Sequence, residues 1–220
     1  MANTKQLELL RKDVEAWNTW RKEHPDEAID LSDANLGEAD LSEADLSGAD
    51  LKAAALKYAM LNDADLSGAV LTYTDLTGAD LSGAIMEGAD LSGAVLSYTM
   101  LHKTNLNGAD LSSADLTGAD LTGADLTKGI LKRAIFTGAV FDDAKFVSAT
   151  LRGADLRGVD LRGVDLSKAD VAGAVFSGTA VHRIADLGGD KQARQPPAPQ
   201  QETQQETEKK TPEGDAEAGG

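Results

Sequence analysis

The chain has 220 residues, enough for one domain with a sizeable core. Only 4% of the residues are aromatic, so that core must be built from many small and medium side chains. A formal net charge of −16 argues against direct binding of nucleic acid or anionic lipid, because both need Lys and Arg to neutralise phosphate, and it favours a protein partner with a basic surface. No apolar stretch is long enough for a membrane span and no secretory signal opens the chain, so a cytoplasmic location is expected.

The first predicted element is a helix from Thr4 to Glu23. Four apolar residues are spaced three, four and three apart, which places them on one stripe of a helix. They are Leu7, Leu10, Val14 and Trp17. Pro25 disfavours a helical conformation at the residue before it, so the helix is expected to end there.

A five-residue period follows. In steps of five from Leu31 to Val181, all 31 positions are apolar. Two residues before these centres, 23 of the 30 positions from Ala34 to Thr179 are Ala; one residue before the centres, 16 of 31 are Asp and two are Asn. Two residues after the centres, 15 positions are Gly, which would penalise a helix at every turn. The pattern predicts short extended pieces separated by tight turns, with the centre and the small residue inside and the Asp outside.

The tandem motif A-[D/N]-L-x-x, as at residues 39–41 and 124–126, resembles the pentapeptide-repeat family. The resemblance implies an all-β solenoid, a right-handed quadrilateral β-helix with four pentapeptides per coil. On that geometry the repeats make nearly eight coils, a rod roughly 37 Å long. Members that confer quinolone resistance carry loops that interrupt the register, and no such loop interrupts it here.

Three segments are therefore expected. Residues 1–28 form an N-terminal capping helix and connector, residues 29–187 the β-helix, and residues 188–220 a disordered tail rich in Pro, Gln and Glu. A solenoid exposes its core at each end, so the helix is expected to cover the first coil; the alternative is that Trp17 and Trp20 grip a partner. Some relatives dimerise through a C-terminal helix, but Val181 to Leu187 is short for one. A homodimer is possible without being indicated.

No group of residues predicts catalysis, a cofactor or a metal site. The three histidines, His24, His102 and His182, have no nucleophile beside them, and the chain has no cysteine. The Ser and Thr residues after the centres are repetitive and have no base. The Asp residues lack the G-G-x-G-x-D pattern of calcium-binding β-rolls. The sequence favours a non-catalytic interaction or scaffold protein that presents a rigid acidic surface.

Charge suggests an alternative function. Residues 31–127 contain 16 acidic and three basic residues, whereas residues 128–181 contain six acidic and eight basic ones. The acidic part spans roughly 23 Å, over which duplex DNA carries about 14 charges. Family members that inhibit type II topoisomerases act as DNA mimics, so the resemblance implies a gyrase-binding inhibitor that protects against quinolones. Arg152, Arg157 and Arg162 weaken the mimicry at the far end.

The candidate mimic residues are Asp40, Asp45, Asp50, Asp65, Asp80, Asp90, Asp110, Asp120 and Asp125. A simpler explanation is that Asp before the centre belongs to the repeat itself, because short polar side chains bond nearby backbone at turns.

A second pattern has a period of forty residues. Among the positions one residue before a centre, the same two are apolar in every forty-residue block. Asp occupies the equivalent positions in the intervening coils. With four repeats per coil, this arrangement gives alternating apolar and acidic rows on two adjacent faces, and such a stripe can mark an interface. The candidate partner surface is Tyr58, Met60, Val95, Tyr98, Met100, Ile135 and Val140. The alternative is a remnant of duplication of a forty-residue unit.

Overall fold

The computed structural model describes residues 2–180. Two helices, α1 (Thr4–Lys12) and α2 (Val14–Glu23), precede the repeat. From Asp30 onward the described chain consists of tight turns joined by single-residue parallel bridges, and none of these bridges extends into a longer strand. The predicted last repeat and the tail, residues 181–220, lie outside the described residues.

Each bridge joins a residue to the one 20 positions later, from Asp30 and Asp50 to Asp160 and Ala180. Four pentapeptides therefore make one coil, as predicted. We number the coils from residues 29–48, coil 1, in steps of 20 residues, so that coil 8 is described as far as residue 180. Face 1 carries Leu31, face 2 Leu36, face 3 Leu41 and face 4 Leu46, each with its equivalents in later coils.

The interior contains the centre of each repeat and the small residue two positions before it. Leu41 and Ala44, for example, are fully buried. In coil 6 three of the four centres are aromatic, and the rings of Phe136, Phe141 and Phe146 meet edge to face with centroids 5.2 and 5.4 Å apart. Where Thr replaces the small Ala, its buried hydroxyl donates to a backbone carbonyl, as Thr74 does to Leu51 O at 2.7 Å. The core is thus free of an unpaired hydroxyl at that position.

Backbone pairing explains the Asp of the repeat. Leu31 N donates to the next coil at Asp50 O, and Asp50 N donates to the previous coil at Ile29 O. The N–H of the second residue after the centre also donates to the next coil, and Ala34 N closes the turn onto Leu31 O. One N–H per repeat, directly after the centre, has no such partner; Ser32 N donates instead to Asp30 Oδ1 at 3.0 Å. The Asp side chain satisfies the donor that the coil leaves over.

The second residue after the centre has a positive φ, as the glycines there predicted. Fourteen non-glycine residues also adopt it, among them Tyr58 at 57° and Lys103 at 55°. For residues with a Cβ this region of backbone space is unfavourable by about 1 kcal/mol. The repetitive hydrogen bonding of the coils therefore holds these residues in a conformation that they would not choose locally.

The prediction of one helix from Thr4 to Glu23 is wrong, because the helix is interrupted at Asp13. Asp13 has an extended backbone (φ −164°) and its side chain accepts from Ala16 N at 3.0 Å, so it serves as the N-cap of α2. Helix α2 ends at Glu23. The next residue, His24, is outside the helix, as expected from Pro25. Leu10 and Trp17 of the predicted stripe are buried, and Leu7 and Val14 are partly buried.

The two helices pair with backbone groups of coil 1 that have no preceding coil to bond. Asp30 N donates to Gln6 Oε1 at 3.0 Å, and Asp45 N donates to Asn18 Oδ1 at 2.8 Å. Carbonyl oxygens are paired as well: Asp30 O accepts from Asn3 N, Asp45 O from Trp17 Nε1 and Ser47 O from Arg21, at 2.7, 2.8 and 2.8 Å. Side chains of α1 and α2, together with the backbone N–H of Asn3, thus take the place of a preceding coil.

Candidate functional site

The alternating rows lie side by side on faces 2 and 3. On face 2 the bridges run from Asp75 to Val95 to Asp115 to Ile135, and on face 3 from Met60 to Asp80 to Met100 to Asp120 to Val140. All are outward positions, one residue before a centre. Met60, Met100, Ile135 and Val140 are 40–44% exposed, whereas Val95 is half-buried. The structure therefore brings these candidate residues together on one side of the rod.

Tyr58 and Tyr98 occupy the corner between faces 2 and 3. Each is in a turn with positive φ, and its ring lies along the rod over the glycine of the next coil. A Cβ on Gly78 would be 2.5 Å from Tyr58 Cε1, and one on Gly118 would be 2.7 Å from Tyr98 Cε1. The two tyrosine residues nevertheless remain 62% and 68% exposed. Each tyrosine thus covers its own coil and the next, and in both cases the turn residue of the next coil is glycine.

The carboxylates of the acidic rows accept hydrogen bonds or ion pairs from side chains of the preceding coil, the coil that carries an apolar row. Lys57 Nζ is 3.1 Å from Asp75 Oδ2, and His102 Nε2 is 2.7 Å from Asp120 Oδ2. Asn62 and Ser97 likewise donate to Asp80 and Asp115. The unit of coils 2 and 3 and the unit of coils 4 and 5 therefore each combine apolar outward residues, donors after the centre and a tyrosine that covers a glycine.

Local hydrogen bonds keep these carboxylates ionised. Burial raises the pKa of Asp75, but the hydroxyl and backbone N–H of Thr77, together with Lys57, outweigh burial and lower it below its ordinary value. Burial likewise raises the pKa of Asp120, but hydrogen bonds from Thr122 and His102 outweigh burial and lower that pKa below its ordinary value. The rows between the apolar residues are therefore anionic at neutral pH.

The sequence profile described as pentapeptide repeats matches the chain with eight copies. The matched segments are residues 29–68, 49–88, 74–112, 89–127, 131–163 and 139–178, which together cover more than half of the chain. This chain belongs to the pentapeptide-repeat family. The fold of the family is the right-handed β-helix, which gives the hand of the solenoid.

Several solved structures are similar to this pentapeptide-repeat protein. HetL, a pentapeptide repeat protein involved in heterocyst differentiation regulation from the cyanobacterium Nostoc, is 32% identical over 70% of this chain and 73% of HetL, with a TM-score of 0.40. A trypsin-treated variant of QnrB1, a plasmid-mediated fluoroquinolone resistance protein, is 24% identical over 69% and 70% of the two chains, with a TM-score of 0.45. A thylakoid-lumen member from Arabidopsis thaliana is 31% identical over 49% and 68%, with a TM-score of 0.33. Comparison with curated proteins gave no match.

The nine candidate mimic residues of the pentapeptide-repeat protein are divided evenly among three faces. Face 1 carries Asp50, Asp90 and Asp110, face 3 carries Asp40, Asp80 and Asp120, and face 4 carries Asp45, Asp65 and Asp125. All nine accept the N–H of the residue two positions later. They share the structural role of Asp in the repeat, and the coil does not collect them on one face.

Four exposed apolar residues lie outside both the candidate surface and the forty-residue period. Val70 lies on face 1, Tyr73 at the corner between faces 1 and 2, and Ile85 and Val147 on face 4. Tyr73 covers Gly93 as the other two tyrosines cover their glycines. The signal that could have found it is the pairing of a bulky turn residue with glycine 20 positions later, rather than the period itself.

The alternative that both tryptophans grip a partner is wrong for Trp17, which is fully buried. Trp20 is partly exposed, stacks on the His24 ring with centroids 4.9 Å apart, and borders a shallow groove beside Leu9 and Thr19. Within residues 2–180, no group of three or more His, Asp or Glu side chains is placed to hold a metal ion. Over that same range neither helix has the length and apolar character needed to cross a bilayer.

The arginines at the far end are engaged locally. Arg157 and Arg162 pair with Asp155 and Asp160 of their own repeats, and Arg152 Nε is 2.8 Å from Asp170 Oδ2 in the next coil. The charge difference along the rod therefore includes internal ion pairs at its C-terminal end. Exposed ion pairs of this kind contribute little to stability.

Proposed function

We propose that this pentapeptide-repeat protein is a non-catalytic interaction protein of the cytoplasm that binds a protein with a basic surface. The observation that carries the proposal is the set of apolar rows at Met60, Val95 and Met100, exposed or half-exposed between rows of ionised Asp on one side of the rod. Regularly repeated exposed apolar residues among charged ones are typical of interaction surfaces.

The two kinds of row contribute differently to binding. Apolar rows gain free energy when a partner removes them from water. The acidic rows, within a segment of 16 acidic and three basic residues, attract a basic partner and raise its rate of association. The rigid coil adds to both effects, since little order is lost when it binds.

The experiment is affinity capture from native cytosol, followed by titration of each captured protein with purified variants. The test variant is Met60→Ser with Val95→Ser and Met100→Ser. The matched control is Val70→Ser with Ile85→Ser, which removes exposed apolar residues from the same repeat position on faces 1 and 4. The test variant should bind at least about tenfold more weakly, and the control should bind like wild type. Equal binding by both variants for every captured protein contradicts the proposal.

DNA-mimicking inhibition of a type II topoisomerase is the second candidate. The observation that favours it is charge density, because residues 31–127, nearly all of coils 1 to 5, carry a net charge of −13 from 16 acidic and three basic residues. Over the same length duplex DNA carries about 14 phosphates. Division of the nine Asp residues among three faces means that an enzyme would have to surround the rod to contact them all.

A supercoiling assay with purified gyrase tests this candidate. Changing Asp50, Asp90 and Asp110 to Asn removes charge from face 1 and keeps an oxygen that can accept the turn N–H. If mimicry operates, the wild type inhibits at micromolar concentration and the Asn variant loses most of that inhibition while remaining folded. Absence of inhibition by the wild type at that concentration excludes this candidate.

A further inference from the structure

The spacing of the rows specifies the shape of the partner. Resting on the proposed function, we infer that the segment bound at the corner between faces 2 and 3 is a basic amphipathic α-helix that lies along the rod. Its apolar residues are seven apart, and Lys or Arg residues lie three and four positions after each of them. The inference depends on the distances between rows, the identity of the corner residues and the charges that flank them.

The apolar rows repeat every two coils. At about 4.8 Å per coil, Met60 and Met100 are about 9.6 Å apart along the rod, as are Tyr58 and Tyr98. Residues seven apart on an α-helix are about 10.5 Å apart, and a modest tilt of the helix brings the two spacings together. Residues on one side of an extended strand repeat at about 6.8 Å and do not match rows of either kind. A helix is the secondary structure whose period fits.

The corner supplies a continuous apolar line for such a helix. The Tyr58 ring extends from coil 2 over Gly78 of coil 3, and the Tyr98 ring extends from coil 4 over Gly118 of coil 5. The acidic rows do not interrupt this line, because glycine stands at the corner where they cross it. An apolar stripe on the partner can therefore stay in contact with aromatic surface across both kinds of coil.

Carboxylates flank the line on both sides. Asp75 and Asp115 lie on face 2, and Asp80 and Asp120 on face 3. On these two faces coils 3 and 5 carry two acidic residues each and no Lys or Arg. The charged residues of coil 2 are Asp63 and Lys57, whose ammonium reaches Asp75, and Lys103 is that of coil 4. Negative charge thus falls about 4.8 Å from each apolar row, close to the position of helix residues three or four further on. Basic residues at those positions meet the acidic rows.

A second copy of the chain does not fit the same surface. If two copies align apolar row on apolar row, their acidic rows coincide, and Asp75, Asp80, Asp115 and Asp120 face their equivalents. If one copy shifts by one coil, each apolar row meets an acidic row. Both arrangements are unfavourable, because like charges repel and an Asp against a buried apolar row is desolvated.

The test uses labelled synthetic peptides and the full-length protein. The helical probe has about 21 residues, Leu at every seventh position, Lys or Arg three and four residues after each Leu, and Ala or Gln elsewhere. One comparison peptide has the same composition in scrambled order, and another has Pro in the middle of the helical sequence. Binding is measured by fluorescence anisotropy and helix formation by circular dichroism, for wild type and for the two Ser variants described above.

The helical probe should bind wild type at least about tenfold more tightly than either comparison peptide and gain helicity on binding. Serine at Met60, Val95 and Met100 should weaken it by about tenfold, and serine at Val70 and Ile85 should leave it unchanged. Equal binding of the scrambled peptide overturns the helical partner and leaves the proposed acidic binding surface standing. No binding of the helical probe also overturns it, while the capture experiment decides the proposed function independently.

Discussion

At the scale of single residues, the Asp before each centre has a structural role that is independent of any partner. It accepts the one N–H per repeat that has no backbone partner, and a Ser or Thr two positions after the Asp often donates its hydroxyl as well. Asp90 Oδ1, for example, accepts from Ser92 N at 3.0 Å and from Ser92 Oγ at 2.6 Å. An Asp-rich surface therefore follows from the repeat whether or not a partner selects it.

This role predicts different results for two substitutions of Asp90. Asp90→Ala leaves the Ser92 N–H without its side-chain acceptor and should lower the free energy of unfolding by about 1 kcal/mol. Asp90→Asn keeps an acceptor oxygen and should lower it by less than half of that amount. Urea unfolding measures both, and equal losses for Ala and Asn would show that charge, rather than the turn hydrogen bond, matters at this position.

Turn residues provide a second prediction at the same scale. Gly78 and Gly88 have nearly equal φ, +67° and +65°, but Gly78 lies under the Tyr58 ring and Gly88 has no atom within 4 Å of an added Cβ. Alanine at either position must adopt a positive φ, which should lower the free energy of unfolding by about 1 kcal/mol. Gly78→Ala must also displace the ring and should lose about 1 kcal/mol more in urea unfolding. Equal losses would mean that the ring moves away freely.

At the scale of elements, α1 and α2 act on the first coil much as a preceding coil would. They bring donors and acceptors to backbone groups of coil 1, and they bury Leu10 and Trp17 against the end of the core. An uncovered coil would present a row of unpaired backbone groups, which is a template for association with another chain.

Trp17→Ala tests this capping role. The substitution removes a fully buried side chain and its 2.8 Å hydrogen bond to Asp45 O, and should lower the free energy of unfolding by about 3 kcal/mol. It should also produce concentration-dependent association, measured by sedimentation velocity, as the edge of coil 1 loosens. Trp20→Ala is the matched control, since Trp20 is partly exposed and should lose much less. A monomeric Trp17→Ala protein of wild-type stability would contradict the role.

At the scale of the whole molecule, stability depends on many similar carboxylates. For Asp40 the hydroxyl and backbone N–H of Ser42 lower the pKa below 3.8, and hydrogen bonds outweigh burial to lower the pKa of Asp75, Asp115 and Asp125 as well. A group whose folded-state pKa is lowered stabilises the fold at pH values above its unfolded pKa. That contribution is lost as the pH falls through the folded pKa.

The free energy of unfolding should therefore be nearly constant from about pH 7 to pH 5 and fall below about pH 4. Urea unfolding at a series of pH values measures it. An Asp75→Asn, Asp115→Asn and Asp125→Asn variant has fewer groups to protonate, so its stability should fall less between pH 5 and pH 3. A wild-type protein whose stability does not change down to pH 3 would contradict the pKa directions.

The sequence by itself determined the period, the inward centres and small residues, the turn positions and the family. Each of these follows from a constraint repeated in every five residues, so that neighbours along the chain carry the signal. It also placed the apolar rows, because a coil of four repeats converts a period of forty residues into alternate coils. The break at Asp13 was missed, since Asp is tolerated within an amphipathic pattern and only contact with coil 1 rewards a second N-cap there.

Only the tertiary structure decided how residues 20 apart use one another. It showed that Tyr58 and Tyr98 lie over Gly78 and Gly118, that Lys57 and His102 hold Asp75 and Asp120, and that the nine candidate Asp residues are spread over three faces. These relations join successive coils, and their distances depend on how the coils stack and where each side chain points. The sequence pattern shows how residues are spaced along the chain, whereas contacts between coils determine which residues lie together on one surface.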